Sequence, residues 1–185
     1  MARRLSHRIA AAPDRTPLRL LAPLRSRLRG EVDVDRLLEI LDVLDGAGIA
    51  HWLAGGWGVD ALAGHQTRRH DDADLVIGDF DQRAPLACAA LAAIGFELVE
   101  RHHQPVWMPD QWILEDRGGA SIDLVSLTWA RLRRGGGEDP SPAEVFVVGA
   151  LGDRPVPCLS ATTQRLFHSG FELRSVHRRD LEVLA

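Results

Sequence analysis

The chain has 185 residues, 45% of them hydrophobic, and a formal net charge of −4 at pH 7. This size and composition allow one substantial hydrophobic core, or one domain with a small helical appendage. The sequence contains no run of 18 or more apolar residues, so a membrane-spanning helix is not expected. Its basic N-terminus lacks the apolar segment of a signal peptide, so the sequence does not support secretion.

Charge is distributed unevenly along the chain. Residues 1–30 carry eight Arg and one Asp, a charge near +7, which leaves residues 31–185 near −11. This Arg-rich leader is expected to be a disordered tail before a domain that spans residues 31–185. A nucleic-acid-binding arm is the alternative, but the leader lacks the interleaved aromatic residues of such arms. We therefore expect neither a nucleic-acid partner nor a membrane partner.

The chain has two cysteines, Cys88 and Cys158, and they lie far apart in helix-like and strand-like patterns. They lack the spacing of metal ligands, and isolated cysteines of this kind are typical of buried thiols in a reducing compartment. We predict that both belong to the core and that the protein is cytoplasmic.

Helical and strand-like patterns alternate through the first half of the domain. Apolar residues at helical spacing follow Asp33 and Asp35, two candidate N-caps, and stop at Gly46 and Gly48. Further along, short apolar runs and glycines mark a strand, a turn and a short helix. The predicted order is a helix over residues 31–47, a strand over 49–54, a helix over 57–62, a strand over 72–77 and a helix over 81–94.

The second half reads as strands followed by two helices. A hairpin turn is predicted at Asp116-Arg117-Gly118-Gly119, and a polar Gly-rich loop over residues 131–142. Strands are predicted over residues 96–101, 106–108, 112–115, 121–126, 145–148 and 155–158, and helices over 160–168 and 174–184. Together these elements predict a single α/β domain: a mixed, twisted sheet with flanking helices, and C-terminal helices that close a cleft.

The first chemical signal is a glycine pair, Gly55-Gly56, which follows an apolar strand. Glycine has no Cβ, so the backbone can approach a phosphate closely, and we expect a side chain at Gly56 to collide with one. The second signal is Asp72-Ala73-Asp74, which opens a strand. Alternation along a strand puts both carboxylates on one face, roughly 7 Å apart along the backbone. Two acids so placed repel each other unless a cation lies between them.

A third acid, Asp123, lies between Ile122 and Leu124 in a strand-like run. An Asp in such a run is costly to bury unless it is paired, hydrogen-bonded or bound to a cation. If its strand lies beside that of Asp72 and Asp74, the three carboxylates converge on a site for Mg²⁺. Such a site suits in-line phosphoryl or nucleotidyl transfer, with one carboxylate accepting the proton of an attacking hydroxyl. Glu115, on the neighbouring predicted strand, is the next candidate for that base.

These residues resemble the polymerase-β-like nucleotidyltransferase superfamily. Within it, the sequence is similar to small antibiotic nucleotidyltransferases of the aminoglycoside 2″-adenylyltransferase and lincosamide nucleotidyltransferase type. The resemblance spans about residues 31–184 and excludes the leader. It is carried by Gly55-Gly56-Trp57-x-x-Asp60, Thr67-Arg68-x-His70-x-Asp72-x-Asp74, Pro157-Cys158-Leu159-Ser160, Gln164 and His168-x-Gly170-Phe171-Glu172-Leu173-Arg174.

The resemblance implies roles for particular residues. Gly55 and Gly56 would contact the nucleotide phosphates, with Arg68 and Arg174 as further nucleotide-binding residues. Asp72 and Asp74 would be catalytic ligands of Mg²⁺, in a two-metal site, and Asp123 a third ligand or the catalytic base.

The sequence departs from the group in two places. Phe171 replaces a usual Tyr, and Val176-His177 replaces a usual Lys-Asp pair. Arg174, Arg178 or Arg179 could take over the role of the lost Lys, because a guanidinium can bind phosphate through two nitrogens.

Residues near these motifs are also consistent with purely structural roles. Asp71 is expected to be solvated, and Asp60 to brace the short helix or contact Arg68 or its loop. His70 either orients the first Asp or fills the turn. Trp52 and Trp57 are expected in the core, whereas Trp107, Trp112 and Trp129 could wall an acceptor pocket, with packing expected for at least one of them.

The expected activity is Mg²⁺-dependent transfer of a nucleoside monophosphate from a nucleoside triphosphate to a hydroxyl of a small molecule, with release of pyrophosphate. The acidic body suits a cationic, antibiotic-like acceptor such as an aminoglycoside, and a lincosamide is the other candidate. The alternatives are a toxin–antitoxin type nucleotidyltransferase that acts on protein or RNA, and a relict nucleotide-binding module. The sequence leaves open whether the enzyme is a monomer or a homodimer.

Overall fold

The structure is a computed structural model that describes residues 30–103, 109–127, 132, 140–168 and 174–185. The predicted leader lies outside these residues except for Gly30, as do the predicted strand over residues 106–108 and most of the predicted loop over residues 131–142. No helix within the described residues is long and apolar enough to cross a membrane.

The described residues form seven strands and six helices, in an order close to the predicted one. The helices are α1 (Val34–Gly46), α2 (Gly55–Ala63), α3 (Phe80–Ala92), α4 (Pro142–Val145), α5 (Ala161–Phe167) and α6 (Ser175–Val183). The strands are β1 (His51–Ala54), β2 (Asp72–Ile77), β3 (Glu97–His102), β4 (Gln111–Glu115), β5 (Ser121–Val125), β6 (Phe146–Leu151) and β7 (Arg154–Leu159).

All seven strands belong to one mixed sheet in the order β3-β4-β5-β2-β1-β7-β6. The pairs β2/β5 and β1/β7 are parallel, and the other neighbouring pairs are antiparallel. The predicted mixed α/β sheet is therefore confirmed. Strands β2 and β5, which carry the three aspartates, are central neighbours.

One face of the sheet packs against α1 and α3 and forms the main core. Strand β2 contributes every second residue to it, because alternate side chains of a strand point to opposite faces. Helix α1 supplies the apolar stripe that its helical spacing predicts. The fully buried members include Leu37, Ile40, Leu41, Leu44, Ala73, Leu75, Ala84, Leu91, Ile122 and Leu124.

The ends of several elements follow from local chemistry. The Asp33 side chain accepts a hydrogen bond of 2.8 Å from the Arg36 amide and caps α1, while Gly48 turns the chain after the helix with a φ of 65°. In the predicted hairpin turn, Oδ1 of Asp116 accepts from the amides of Gly118 and Ala120 at 2.8 and 3.0 Å. The turn chemistry predicted at this position is therefore present.

The glycine pair differs from its prediction. Gly55 and Gly56 form the first turn of α2 and do not lie in a loop before the helix. The amides of a first turn have no partner within the helix, so the weak helix propensity of glycine costs little there. Burial of Trp57 and Val59 on the following residues anchors the helix.

Both cysteines are free thiols that contribute to packing. Cys158 is fully buried, and burial raises its thiol pKa to about 11. Cys88 is half-buried against the main core, and burial raises its pKa as well. Because a thiol is nucleophilic only as thiolate, neither residue is suited to catalysis at neutral pH.

Helix α2 packs so closely on its neighbours that Gly58 admits no side chain. A Cβ there would overlap Nε2 of Gln164 and lie 2.8 Å from the Leu53 carbonyl oxygen. Gly58→Ala should therefore lower the free energy of unfolding by about 1–3 kcal/mol through overpacking, although Ala normally stabilises a helix interior. Chemical denaturation measures the difference.

Gly46→Ala is the matched control, because a Cβ at Gly46, also in a helix, would meet no atom within 4 Å. This variant should be as stable as the parent protein or slightly more stable. Equal stability of Gly58→Ala and Gly46→Ala would contradict the close packing of α2.

Candidate active site

Three aspartates share the sheet face opposite the main core. In the parallel pairing of β2 with β5, Asp74 lies directly beside Asp123, and Asp72 lies beside Ser121. Neighbouring strands are about 4.8 Å apart, so Asp74 and Asp123 start from adjacent backbone positions. All three side chains belong to partly buried residues. The adjacency of the two strands, on which the sequence prediction depended, is thus present.

The first turn of α2 lies against these carboxylates. Ala54, the last residue of β1, is the register partner of Asp74, and Gly55 follows with a φ of 54°. A Cβ on Gly55 would lie 2.9 Å from Cγ of Asp74 and overlap its carboxylate. Glycine is therefore needed at position 55 both for the backbone conformation and for the close approach of Asp74.

Gly56 is required by the packing of two protein side chains against it. A Cβ there would overlap the guanidinium of Arg68 and lie 2.6 Å from Nδ1 of His70. The expected collision with a phosphate is therefore not required to explain this glycine. A bulky side chain at Gly56 would displace two protein side chains and disturb the local fold.

Asp60 and His70 form a buried pair beneath the glycine pair. Oδ2 of Asp60 lies 2.6 Å from Nε2 of His70, and Oδ1 accepts a 2.5 Å hydrogen bond from the Thr67 hydroxyl. The His70 ring also lies against the ring of Trp57, with a centroid separation of 4.3 Å. Asp60 thus braces the loop before β2, and His70 fills the turn with its Nε2 bound to Asp60. Asp71, by contrast, is exposed as predicted.

Arg68 binds a carboxylate that the sequence did not single out. Its Nε and Nη2 donate to the two oxygens of Asp180 on α6 at 2.8 and 2.9 Å, and its Nη1 donates to the Arg69 carbonyl. Asp180 is 1% exposed. Burial alone would raise the pKa of Asp180, but the nearby His168 and the two hydrogen bonds from Arg68 outweigh it and hold that pKa well below its usual range.

His168 and His177 lie next to this ion pair, with their rings edge-to-face and their centroids 5.7 Å apart. Nε2 of His168 is 3.7 Å from Asp180, and Nδ1 lies 2.9 Å from the Gln164 carbonyl oxygen. The Asp180 carboxylate raises the pKa of His168, although burial opposes this. For His177, burial and the nearby Arg174 lower the pKa. His168 therefore carries more positive charge than His177 near neutral pH.

Arg174, the other predicted nucleotide-binding arginine, is the exposed N-cap residue of α6. Its Nη2 lies 3.2 Å from Nε2 of His177. Arg178 and Arg179 are also exposed on α6. Gly170 and Phe171, which belong to the similar tail segment, lie outside the described residues. A nucleotide-binding role for Arg174 stays a prediction.

Asp123 contacts the neighbouring strand β4. Nε2 of Gln111 donates a 2.6 Å hydrogen bond to Oδ2 of Asp123. Glu115 pairs with Ser121, which in turn pairs with Asp72, so Glu115 lies on the same sheet face. Gln111 was missed by the sequence analysis, because a Gln at a strand start carries no distinguishing signal.

The predicted tryptophans divide between the two faces. Trp112 pairs with Leu124 and therefore points to the core face, where its ring meets Phe80 edge-on at 5.6 Å. It cannot wall a pocket on the face of Asp123. Trp57 is buried as predicted, and Trp52 stacks on Phe146 at 4.0 Å. Trp107 and Trp129 lie outside the described residues.

The donor set and the backbone fit a divalent cation held by Asp72, Asp74 and Asp123. Carboxylate oxygens are the ligands that Mg²⁺ prefers, and the strand register brings all three to one face. With the side chains in their present conformations, no three Asp, Glu, His or Cys residues of the described chain lie close enough together to hold a metal ion. Asp123, held by Gln111, is one carboxylate that would turn to join such a group.

Comparison with known proteins identifies one family. Residues 36–184 match the model of a family described as aminoglycoside-2″-adenylyltransferase. A lincosamide resistance protein of Staphylococcus haemolyticus is 34% identical over 155 residues, which cover 80% of this chain and 91% of that protein. A 2″-aminoglycoside nucleotidyltransferase of Escherichia coli is 30% identical over 127 residues, which cover 66% of this chain and 64% of that protein.

Solved structures agree with this assignment. The lincomycin-bound lincosamide antibiotic adenylyltransferase LnuA has a TM-score of 0.66 at 29% identity, covering 84% of this chain and 98% of that chain. The structure of ANT(2″)-Ia in complex with adenylyl-2″-tobramycin has a TM-score of 0.61 at 22% identity, covering 82% and 86%. At that identity the second likeness shows the fold alone.

The ion pair at Asp180 should give the protein a pH-dependent stability. Because the folded-state pKa of His168 is raised, its contribution is fully present below its usual pKa, near 6.5. The contribution is lost as the pH rises through the raised value. The difference in free energy of unfolding between the parent protein and His168→Gln should therefore be largest near pH 5.5 and shrink by pH 8.5.

Denaturant titrations across this range measure that difference. Within the part of the chain that the structure describes, the other charged groups around His168 are Asp180, Arg68 and His177. They are present in both proteins, so most of their own titration cancels. A difference that stays constant or grows with pH would contradict the pairing of His168 with Asp180.

Proposed function

The chain belongs to the aminoglycoside-2″-adenylyltransferase family and is a nucleotidyltransferase, and we propose that it transfers a nucleoside monophosphate to a hydroxyl of an antibiotic-like molecule. Nucleotidyltransferases of this family use a nucleotide co-substrate. The observation that carries the proposal is the register of β2 and β5. It sets Asp74 beside Asp123, with the first turn of α2 packed against Asp74.

The first turn of α2 is the proposed contact for the phosphates. The amides of a helix N-terminus lack partners within the helix and carry partial positive charge. Ala54, at the N-cap position, has no side chain that could cap them. Gly55 and Gly56 add no side chains of their own to this turn, and the side chains packed against Gly56 include the cationic Arg68 guanidinium. We propose that a phosphate binds the amides of this turn beside that guanidinium.

The aspartates are the proposed catalytic and metal-binding group. Asp72 and Asp74 would hold Mg²⁺, with Asp123 as a third ligand or as the base. When bound, the metal supplies positive charge that neutralises the triphosphate and the charge that develops on the leaving pyrophosphate. Asp123 accepts the proton of the acceptor hydroxyl as its oxygen attacks the α-phosphorus. The bond between the α-phosphorus and the bridging oxygen breaks, and pyrophosphate leaves.

The proposed acceptor is a cationic small molecule. Residues 31–185 carry a net charge near −11, and Glu115 extends the acidic face beyond Asp72. A field of this sign concentrates amine-bearing compounds near the cleft. Aminoglycosides and lincosamides are the two classes that the names of the relatives suggest. We assign the protein to the cytoplasm, in keeping with its two free thiols, and to a monomer or homodimer.

The activity is tested with the purified protein, Mg²⁺, each of the four nucleoside triphosphates, and panels of aminoglycosides and lincosamides. We expect pyrophosphate release and a product heavier by one nucleoside monophosphate. Asp123→Asn should keep the fold and lower kcat about 10²- to 10⁴-fold, which is the usual effect of removing a general base. A parallel loss of Mg²⁺ affinity would instead make Asp123 a ligand.

Asp71→Asn is the matched control, since Asp71 is an exposed aspartate beside the same strand. Its turnover should equal that of the parent protein. No product with any acceptor would remove the proposed function. Turnover of Asp123→Asn within a few-fold of the parent would move the base to another residue, and Glu115→Gln would be tested next.

A further inference from the structure

Two buried carboxylates hold the four residues that lead into β2. We call residues 67–70 the entry segment. Asp60, with 0% exposure, binds Thr67 and His70, and Asp180, with 1% exposure, binds Arg68. Asp60 lies on α2, only a few residues before the entry segment. Asp180 lies on the C-terminal helix, 112 residues after its partner.

The guanidinium of Arg68 joins three parts of the structure. Two of its nitrogens donate to Asp180 at 2.8 and 2.9 Å, and the third donates to the Arg69 carbonyl oxygen at 3.1 Å. Its Nη2 also occupies the space where a Cβ of Gly56 would lie. One planar group therefore contacts α6, the entry segment and the first turn of α2. A two-nitrogen fork fixes orientation as well as distance.

We propose that Asp180 is a positioning residue for the nucleotide site, acting through Arg68 to hold the first turn of α2 in place relative to β2. The entry segment ends at His70, two residues before Asp72, so its placement sets where the strand of Asp72 and Asp74 begins. Asp180 is buried and does not touch substrate. This proposal rests on the proposed function only in taking the positioned residues to be a nucleotide site. The positioning itself does not depend on the activity.

The Arg68–Asp180 ion pair is not an efficient way to increase the free energy of unfolding. Removing two charges from water costs free energy that their attraction only partly returns, and apolar replacements of buried ion pairs are often neutral or stabilising. Asp180 also lies on α6, a polar helix that contributes few apolar side chains to packing. Between Ser175 and Val183, Asp180 is the buried residue. The ion pair fixes the geometry between α6 and the entry segment. An apolar contact would not fix that geometry.

Three variants separate positioning from stability and from direct nucleotide binding. Asp180→Asn keeps the shape and removes the charge, Arg68→Lys keeps the charge and removes the fork, and Arg68→Met/Asp180→Leu replaces the pair by apolar groups. Each single variant should lower kcat about 10- to 100-fold, the range for residues that orient active-site ligands, with a smaller change in the triphosphate KM. The double variant should be no less active than the singles, because both residues act as one unit.

Thermal unfolding of the same variants supplies the second comparison. The apolar double variant should unfold at a higher temperature than Asp180→Asn while its turnover stays low. If the double variant recovered both stability and turnover, the ion pair would be only a structural contact, and the proposal would be overturned. A raised triphosphate KM in Arg68→Lys together with a lowered one in Asp180→Asn would overturn it too, because it would show that Arg68 binds the nucleotide directly and that Asp180 competes for it.

Hydrogen exchange of the ligand-free protein gives a readout that needs no turnover. Asp180→Asn should speed exchange of the hydrogen-bonded backbone amides of residues 59–63 and 72–76, which follow the first turn of α2 and the entry segment, relative to the parent protein. Asp42→Asn is the matched control, since Asp42 pairs with Arg154 across 112 residues on the outside of the fold. It should change neither exchange in these segments nor turnover. Unchanged exchange in Asp180→Asn would refute the proposal even if the parent protein proved inactive.

Discussion

Asp74 and Asp123 are register partners on neighbouring parallel strands, so their backbone positions cannot separate without breaking the centre of the sheet. Like charges at adjacent strand positions repel, and the surrounding groups relieve this repulsion. Gln111 donates a hydrogen bond to Asp123, and the first turn of α2 lies against Asp74. The apolar residues between the acids anchor the other face of both strands in the core. The core thus keeps in place an acidic face that a divalent cation would neutralise.

The groups around the acidic face fix its position relative to α2. Asp60 and Asp180 are buried carboxylates that bind consecutive parts of the segment leading into β2. The glycine pair allows this segment and Asp74 to approach the first turn of α2 more closely than any side chain would permit. Both carboxylates therefore act on the same short segment, and this is the physical basis for the proposed influence of the C-terminal helix on the position of β2.

Local patterns in the sequence were sufficient for much of this structure. The period-two alternation placed β2 at Asp72–Ile77, and Asp33 was among the predicted caps of α1. Tertiary contacts were not predictable in the same way. The pairing of Arg68 with Asp180 joins residues 112 apart, and an Asp on a polar C-terminal helix gives no local signal that it is buried. The packing of Arg68 and His70 against Gly56 was likewise not predictable from local sequence, and the contact of Gly56 with a phosphate stays a prediction.

The central claim, that the acidic face binds a metal together with a nucleotide, is tested most directly by a crystal structure with Mn²⁺ and a non-hydrolysable nucleoside triphosphate. Mn²⁺ replaces Mg²⁺ at oxygen ligands and is located by its anomalous scattering. The account predicts a Mn²⁺ peak within about 2–2.5 Å of carboxylate oxygens of Asp72 and Asp74, with the triphosphate against the first turn of α2. A triphosphate bound elsewhere, or bound there with no Mn²⁺ at these aspartates, would contradict it.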